Sequence, residues 1–129
     1  MAGGGPNDTA RQSRREPRVS VDLPATLVGR TRRLARVVDL SLLGCLVRSE
    51  VALDGGALVD VLLELPDGVL RTKARVAEAS LDGDSPREGR PLFLTGLEFF
   101  GLAAKDEIRL RLFVNQEAGR RRSAHTAPS

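Results

Sequence analysis

In Leu58-Val59-Asp60-Val61-Leu62-Leu63-Glu64-Leu65-Pro66-Asp67-Gly68-Val69-Leu70-Arg71-Thr72-Lys73-Ala74-Arg75-Val76-Ala77-Glu78-Ala79, two apolar-rich runs flank the turn signal Pro66-Asp67-Gly68. From Val69 to Ala79 the alternation is clean, with Leu70, Thr72, Ala74 and Val76 facing one way and Arg71, Lys73 and Arg75 the other. A period of two is the mark of a half-buried strand. Pro and Gly at the junction supply the preset and permissive backbone angles of a tight turn. The segment therefore predicts a β-hairpin of Leu58–Leu65 and Val69–Ala79.

Short strands recur on both sides of this hairpin. Toward the amino terminus, Cys45–Arg48 and Arg33–Leu40 read as strands, and Val19-Ser20-Val21-Asp22-Leu23 alternates before continuing past Pro24 to Gly29. Pro24 predicts an edge or a bulge, since proline has no N–H to give to a ladder. Toward the carboxyl terminus, a polar loop over Leu81–Pro91 precedes a sixth strand at Leu92–Phe99. Residues 103–117 are predicted to be helical: Asp106 and Glu107 fall in the first turn, where acids suit the dipole, and Ile108 and Leu112 stand at i and i+4. Ile108-Arg109-Leu110-Arg111-Leu112 also alternates like a strand, but the segment carries few β-branched residues. Six short strands and one helix, with no internal repeat, predict a mainly β protein: a six-stranded antiparallel barrel whose open end the carboxyl-terminal helix covers.

The 129 residues have room for one domain. With aromatic residues at 3%, no Trp or Tyr, and Phe93, Phe99, Phe100 and Phe113 as the whole aromatic complement, the core must be aliphatic. The same scarcity argues against a single-stranded nucleic-acid binder, which needs stacking platforms. No apolar run approaches the ~20 residues that span a bilayer, and Met1–Pro17 lacks the apolar stretch of a secretory signal, so a cytoplasmic location is expected, without membrane insertion. Cys45 is the single cysteine and His125 the single histidine, so neither an internal disulfide nor zinc-ligand spacing is expected and no metal is implied. Cys45 itself reads as a small buried residue of the third strand. No serine, cysteine or carboxylate pair has a base beside it in any motif, and no catalytic residue is assigned.

Charge is unevenly placed. Met1–Arg48 holds nine arginines against four acids, whereas Ser49–Ser129 holds eleven basic residues against thirteen acids. A surplus in one arm points to an anionic partner there rather than to a basic surface that wraps DNA. Met1–Ser13, with Gly3-Gly4-Gly5-Pro6, and Ala118–Ser129 lack the apolar content to offset ordering and read as flexible ends. Arg120-Arg121-Arg122 in the second of these and Arg30-Thr31-Arg32-Arg33 at the first hairpin tip read as solvated charge and receive no role.

Two constellations carry chemistry. Arg14-Arg15-Glu16-Pro17-Arg18 precedes the first strand, and Pro17 keeps it from being a continuous helix. From an extended arm, guanidinium groups fork onto phosphate oxygens or onto guanine O6 and N7. Asp39-Leu40-Ser41-Leu42-Leu43-Gly44 joins the second and third strands. Here Asp39 and Ser41 offer acceptors, and Gly44 is expected to adopt the positive φ of a tight connection. A carboxylate there accepts from the N1–H and N2–H₂ edge of guanine, which arginine cannot do. Together the two motifs meet the demands of a guanine nucleotide with phosphates.

Arg-x-x-x-Arg ahead of a strand, here Arg14 and Arg18, followed by Asp-x-Ser-x-x-Gly, here Asp39, Ser41 and Gly44, resembles the PilZ domain family. Val19-Ser20-Val21-Asp22-Leu23-Pro24-Ala25, Leu65-Pro66-Asp67-Gly68 and Thr95-Gly96-Leu97-Glu98-Phe99 are similar to the family's first strand, hairpin and last strand, so the resemblance covers Arg14–Glu117. It implies a split-barrel-type bacterial receptor that binds cyclic di-GMP and catalyses nothing. Arg14 and Arg18, helped by Arg15, would clasp phosphates and guanines, Asp39 and Ser41 would bind a guanine edge or phosphate, and Gly44 would permit the turn. Ordering of the arm would then change the surface offered to a downstream protein partner. Two other functions fit the chain less well: an adaptor that keeps the fold without binding nucleotide, and a nucleic-acid binder using Arg11–Arg36.

Overall fold

The hairpin read from the sequence is present in the computed structural model, which describes residues 16–83 and 89–126, with side chains described as far as residue 120. Strand β4 (Leu58–Leu65) pairs with β5 (Gly68–Leu81) in a register that sets Leu65 opposite Gly68 and leaves Pro66-Asp67 as a two-residue loop. Gly68 has φ 131°, a conformation that other residues rarely adopt. The remaining strands are β1 (Val19–Val28), β2 (Arg32–Leu40), β3 (Gly44–Ser49) and β6 (Phe93–Phe100), followed by helix α1 (Ala104–Thr126). They close into a barrel in the order β1-β2-β3-β6-β5-β4, with every neighbouring pair antiparallel.

Closure follows from the period-two pattern. Leu70, Thr72, Ala74 and Val76 turn inward from β5 while Arg71, Lys73 and Arg75 face out. Leu27, Val37, Val47, Val61, Leu63 and Leu97 meet them in the interior, which is aliphatic as expected. Each fully buried side chain of this kind contributes roughly 1.5–3 kcal/mol over an exposed one. Pro24 does not mark an edge, because a closed barrel gives β1 a neighbour on both sides. Instead the ladder to β2 is irregular between Ser20 and Leu23, and Pro24 sits one residue before the ladder to β4 begins at Ala25.

Helix α1 corrects two expectations. Ile108 and Leu112, the expected i, i+4 pair, are 60% and 57% exposed, whereas Leu110 and Val114 are buried at 0% and 1% and close the barrel end. Phe113 and Ala118 pack beside them, so the buried stripe follows the three- and four-residue spacing of a helix face. The helix also runs on to Thr126, through most of the stretch 118–129 expected to be flexible. Alanine and arginine, which recur through that stretch, are good helix formers. The other expected flexible end, 1–13, lies outside the described residues, as do Arg14, Arg15 and 127–129.

Antiparallel pairing brings four features to one end of the barrel: the start of β1, the β2–β3 turn, the β4–β5 turn and the start of α1. The β1–β2 hairpin tip and the loops after β3 and β5 occupy the other end.

Candidate functional site

The two motifs of the sequence are neighbours in the barrel. Val19 pairs with Leu40 and Ser20 with Asp39, so Arg18, one residue ahead of β1, comes out beside the β2–β3 turn. On its other side Asp39 faces Leu46 of β3. A cavity of about 540 Å³ opens here, and Arg18, Asp39, Ser41 and Gly44 all contribute to its lining. The volume is of the size that small-molecule sites commonly have. Arg14 and Arg15, assigned to the same site from the sequence, lie outside the described residues.

Ser41 shapes the turn. Its backbone N–H donates to the Gly44 carbonyl at 2.9 Å, closing a loop of Leu42 and Leu43. Its hydroxyl accepts from the Leu43 N–H at 3.1 Å and donates toward the Gly44 carbonyl at 3.4 Å. With the residue 4% exposed, that hydroxyl is largely committed to holding the turn. The Leu43 carbonyl in turn accepts from the Phe99 N–H at 2.9 Å, fixing the loop to β6.

Gly44 is required for a reason other than the one expected. It is not among the glycines with positive φ. A Cβ at Gly44 would fall on the carbonyl oxygen of Leu97, with the Leu97 carbonyl carbon and Glu98 Cα close behind. The constraint is close passage of β3 against β6.

Asp39 is half-buried, and among the described residues its carboxylate has no hydrogen-bond or ion-pair partner. Its charge is felt by Cys45, the inward-facing residue next to Gly44. Burial, and secondarily the Asp39 charge, push the Cys45 thiol up to about 12. Cys45 is thus the small apolar core residue expected from the sequence, and its thiol stays protonated at neutral pH.

The floor of the cavity holds residues that the sequence reading did not assign. Gly44 of β3 pairs with Glu98 of β6, and Glu98 pairs with Arg75 of β5. In the next row Leu46 pairs with Gly96, and Ala77 also contributes lining. Small residues in the middle keep the floor low, while Arg75 and Glu98 supply opposite charges along one side. Leu43 and Phe100, 41% and 39% exposed, form an apolar rim. The outward position of Arg75 was legible in the alternation of β5, but its neighbours across the strands depend on register.

A family model described as the PilZ domain matches residues 12–116. The chain belongs to the PilZ domain family. Solved structures agree with this PilZ assignment in fold. The chain is similar to the PilZ domain of YcgR from Escherichia coli, solved with c-di-GMP, at TM-score 0.69 and 18% identity, covering 88% of this chain and 98% of that one. It is similar to the MrkH–c-di-GMP complex of K. pneumonia at TM-score 0.63 and 19% identity, covering 83% and 54%. The Bacillus subtilis inhibitor of motility MotI/DgrA gives TM-score 0.67 and 16% identity, covering 82% and 51%. The chain therefore spans about half the length of MotI/DgrA and MrkH. No curated protein sequence matches it significantly.

Proposed function

We propose that this PilZ domain is a receptor for cyclic di-GMP and that the nucleotide occupies the cavity between Arg18, the Asp39–Gly44 turn and the outer face of β3, β6 and β5. The observation that carries this reading is the convergence on one cavity of Arg18 and Asp39, which come from separate segments of the chain, as the Ser20–Asp39 pairing requires. Arginine supplies forked donors for phosphate oxygens and for guanine O6 and N7. Asp39 supplies an acceptor for the guanine N1–H and N2–H₂ edge. Phe100 and Leu43 give the purine an apolar wall. Two of the similar proteins, YcgR and MrkH, are described as structures with c-di-GMP, which supports the same ligand here.

On this reading the chain is a binder and not an enzyme, and it acts in the cytoplasm. Its matched donors and acceptors hold a nucleotide without attacking it. The segment carrying Arg14, Arg15 and Arg18 closes over the ligand, and the surface so formed is what a downstream protein partner reads. Isothermal titration with cyclic di-GMP is the direct test. Saturable binding at micromolar ligand is expected, with loss of affinity as salt is raised because the contacts to phosphate are ionic. No binding under these conditions would overturn the proposal, and a partner captured equally with and without ligand would favour an adaptor.

A further inference from the structure

Arg75 and Glu98 are direct cross-strand neighbours on the outer face of the barrel, carry opposite charge, and both line the cavity. Facing side chains in such a pair stand about 5 Å apart at Cβ, close enough for an ion pair. Asp60 and Lys73, in the same relation across β4 and β5, do form one, at 3.0 Å. Arg75 and Glu98 form none, and neither has another hydrogen-bond or ion-pair partner among the described residues. The cavity therefore holds an unengaged carboxylate and an unengaged guanidinium on a floor otherwise made of Leu46, Gly96 and Ala77.

Their placement relative to Asp39 adds meaning. One strand, β3, lies between Asp39 and Glu98, and the two residues are offset by two positions through Leu46 and Gly44. Two strand spacings and two residues of rise put the backbones ~12 Å apart. Asp39 and Glu98 thus approach the cavity from opposite sides. A cyclic dinucleotide carries its two bases on opposite sides of a shared phosphodiester ring, and each guanine presents an N1–H and N2–H₂ edge that a carboxylate accepts in parallel. Adenine has no donor at N1 and cannot make that pair.

We propose that Glu98 is a second base-reading carboxylate, taking one guanine while Asp39 takes the other, and that Arg75 beside it takes a phosphodiester of the ring. The inference rests on the cyclic di-GMP reading above and assigns the selectivity of that site. Titrations of wild type, Glu98→Ala, Glu98→Gln and Arg75→Ala with cyclic di-GMP and with 3′,3′-cyclic GMP–AMP test it. Wild type is expected to prefer cyclic di-GMP. Either Glu98 variant should lose roughly ten- to a hundredfold in affinity for it, the scale of a hydrogen bond to a charged group. The mixed dinucleotide can still present its single guanine to Asp39, so its affinity should stay near wild type and the selectivity should collapse. Arg75→Ala should weaken both ligands alike and leave selectivity in place. Because Glu98 is exposed, thermal melts of its variants should match wild type. Wild-type binding with unchanged affinity and selectivity in both Glu98 variants would overturn this inference alone. Failure of wild type to bind cyclic di-GMP would overturn the receptor reading and this inference with it.

Discussion

Arg109 of the carboxyl-terminal helix grips Asp67 at the tip of the β4–β5 turn, its Nε 3.2 Å from Oδ2 and its Nη2 3.0 Å from Oδ1. The same guanidinium donates to the carbonyls of Gly68 and Val69 at 3.0 and 3.2 Å and to Asp106 Oδ1 at 3.1 Å. A planar fork with five N–H donors can satisfy all these acceptors at once, which a lysine ammonium cannot. The contact fixes the helix end to the hairpin while Leu110 and Val114 close the barrel.

Arg109→Ala should therefore lower the thermal midpoint by roughly 4 °C, the shift per kcal/mol at which the ranges for smaller and larger domains meet. Arg109→Lys should recover only a small part of it, because charge without the fork reaches one acceptor. A lysine variant as stable as wild type would contradict the geometric account.

Hydrogen bonding to Arg109, aided by its positive charge, holds the Asp67 carboxyl below its ordinary value of 3.8. A folded-state value lower than the unfolded one stabilises above the unfolded value and ceases to do so as pH falls through the folded one. The stability gap between wild type and Asp67→Asn should thus be constant from neutral pH down to that ordinary value and shrink below it. Thermal melts at a series of acid pH values measure this, and a gap that closes well above pH 3.8 would refute it.

Gly44→Ala should destabilise the barrel by about 1–3 kcal/mol or more, since the added methyl must push β3 away from the Leu97 carbonyl. Urea unfolding gives the number. The cost should appear without any ligand present, because it arises from strand packing.

Arg18→Ala and Asp39→Ala should each weaken cyclic di-GMP binding by roughly 2–5 kcal/mol, the cost of truncating a hydrogen-bonded charge at an interface. Calorimetric titration reads both. Ser41→Ala should differ in kind: its hydroxyl holds the turn, so its loss should show in thermal stability as well as in affinity.

Native Cys45 should resist thiol reagents at neutral pH and react fully once the protein is unfolded in denaturant. Burial both blocks access and holds the thiol at about 12, far from the thiolate that reacts. Rapid labelling of the folded protein would show that β3 opens locally.

The amino-acid sequence by itself determined the strands, the hairpin, the aliphatic core and the family, because these depend on local alternation, turn residues and motif spacing. Period two told inside from outside along β5 without any knowledge of its neighbours. It also named Arg14, Arg15, Arg18, Asp39, Ser41 and Gly44 as residues to watch. What only the tertiary structure decided was which outward residues share a patch, and what the turn requires of Ser41 and Gly44. Arg75 and Glu98 lie far apart in the chain and become neighbours only through the β5–β6 register. Gly44 is recognisable in sequence as a turn glycine, yet its constraint comes from the backbone of β6. On the helix, Ile108/Leu112 and Leu110/Val114 have the same spacing, and the barrel end selects the second pair. Local pattern fixes the direction a side chain leaves the backbone, and only packing fixes what it meets.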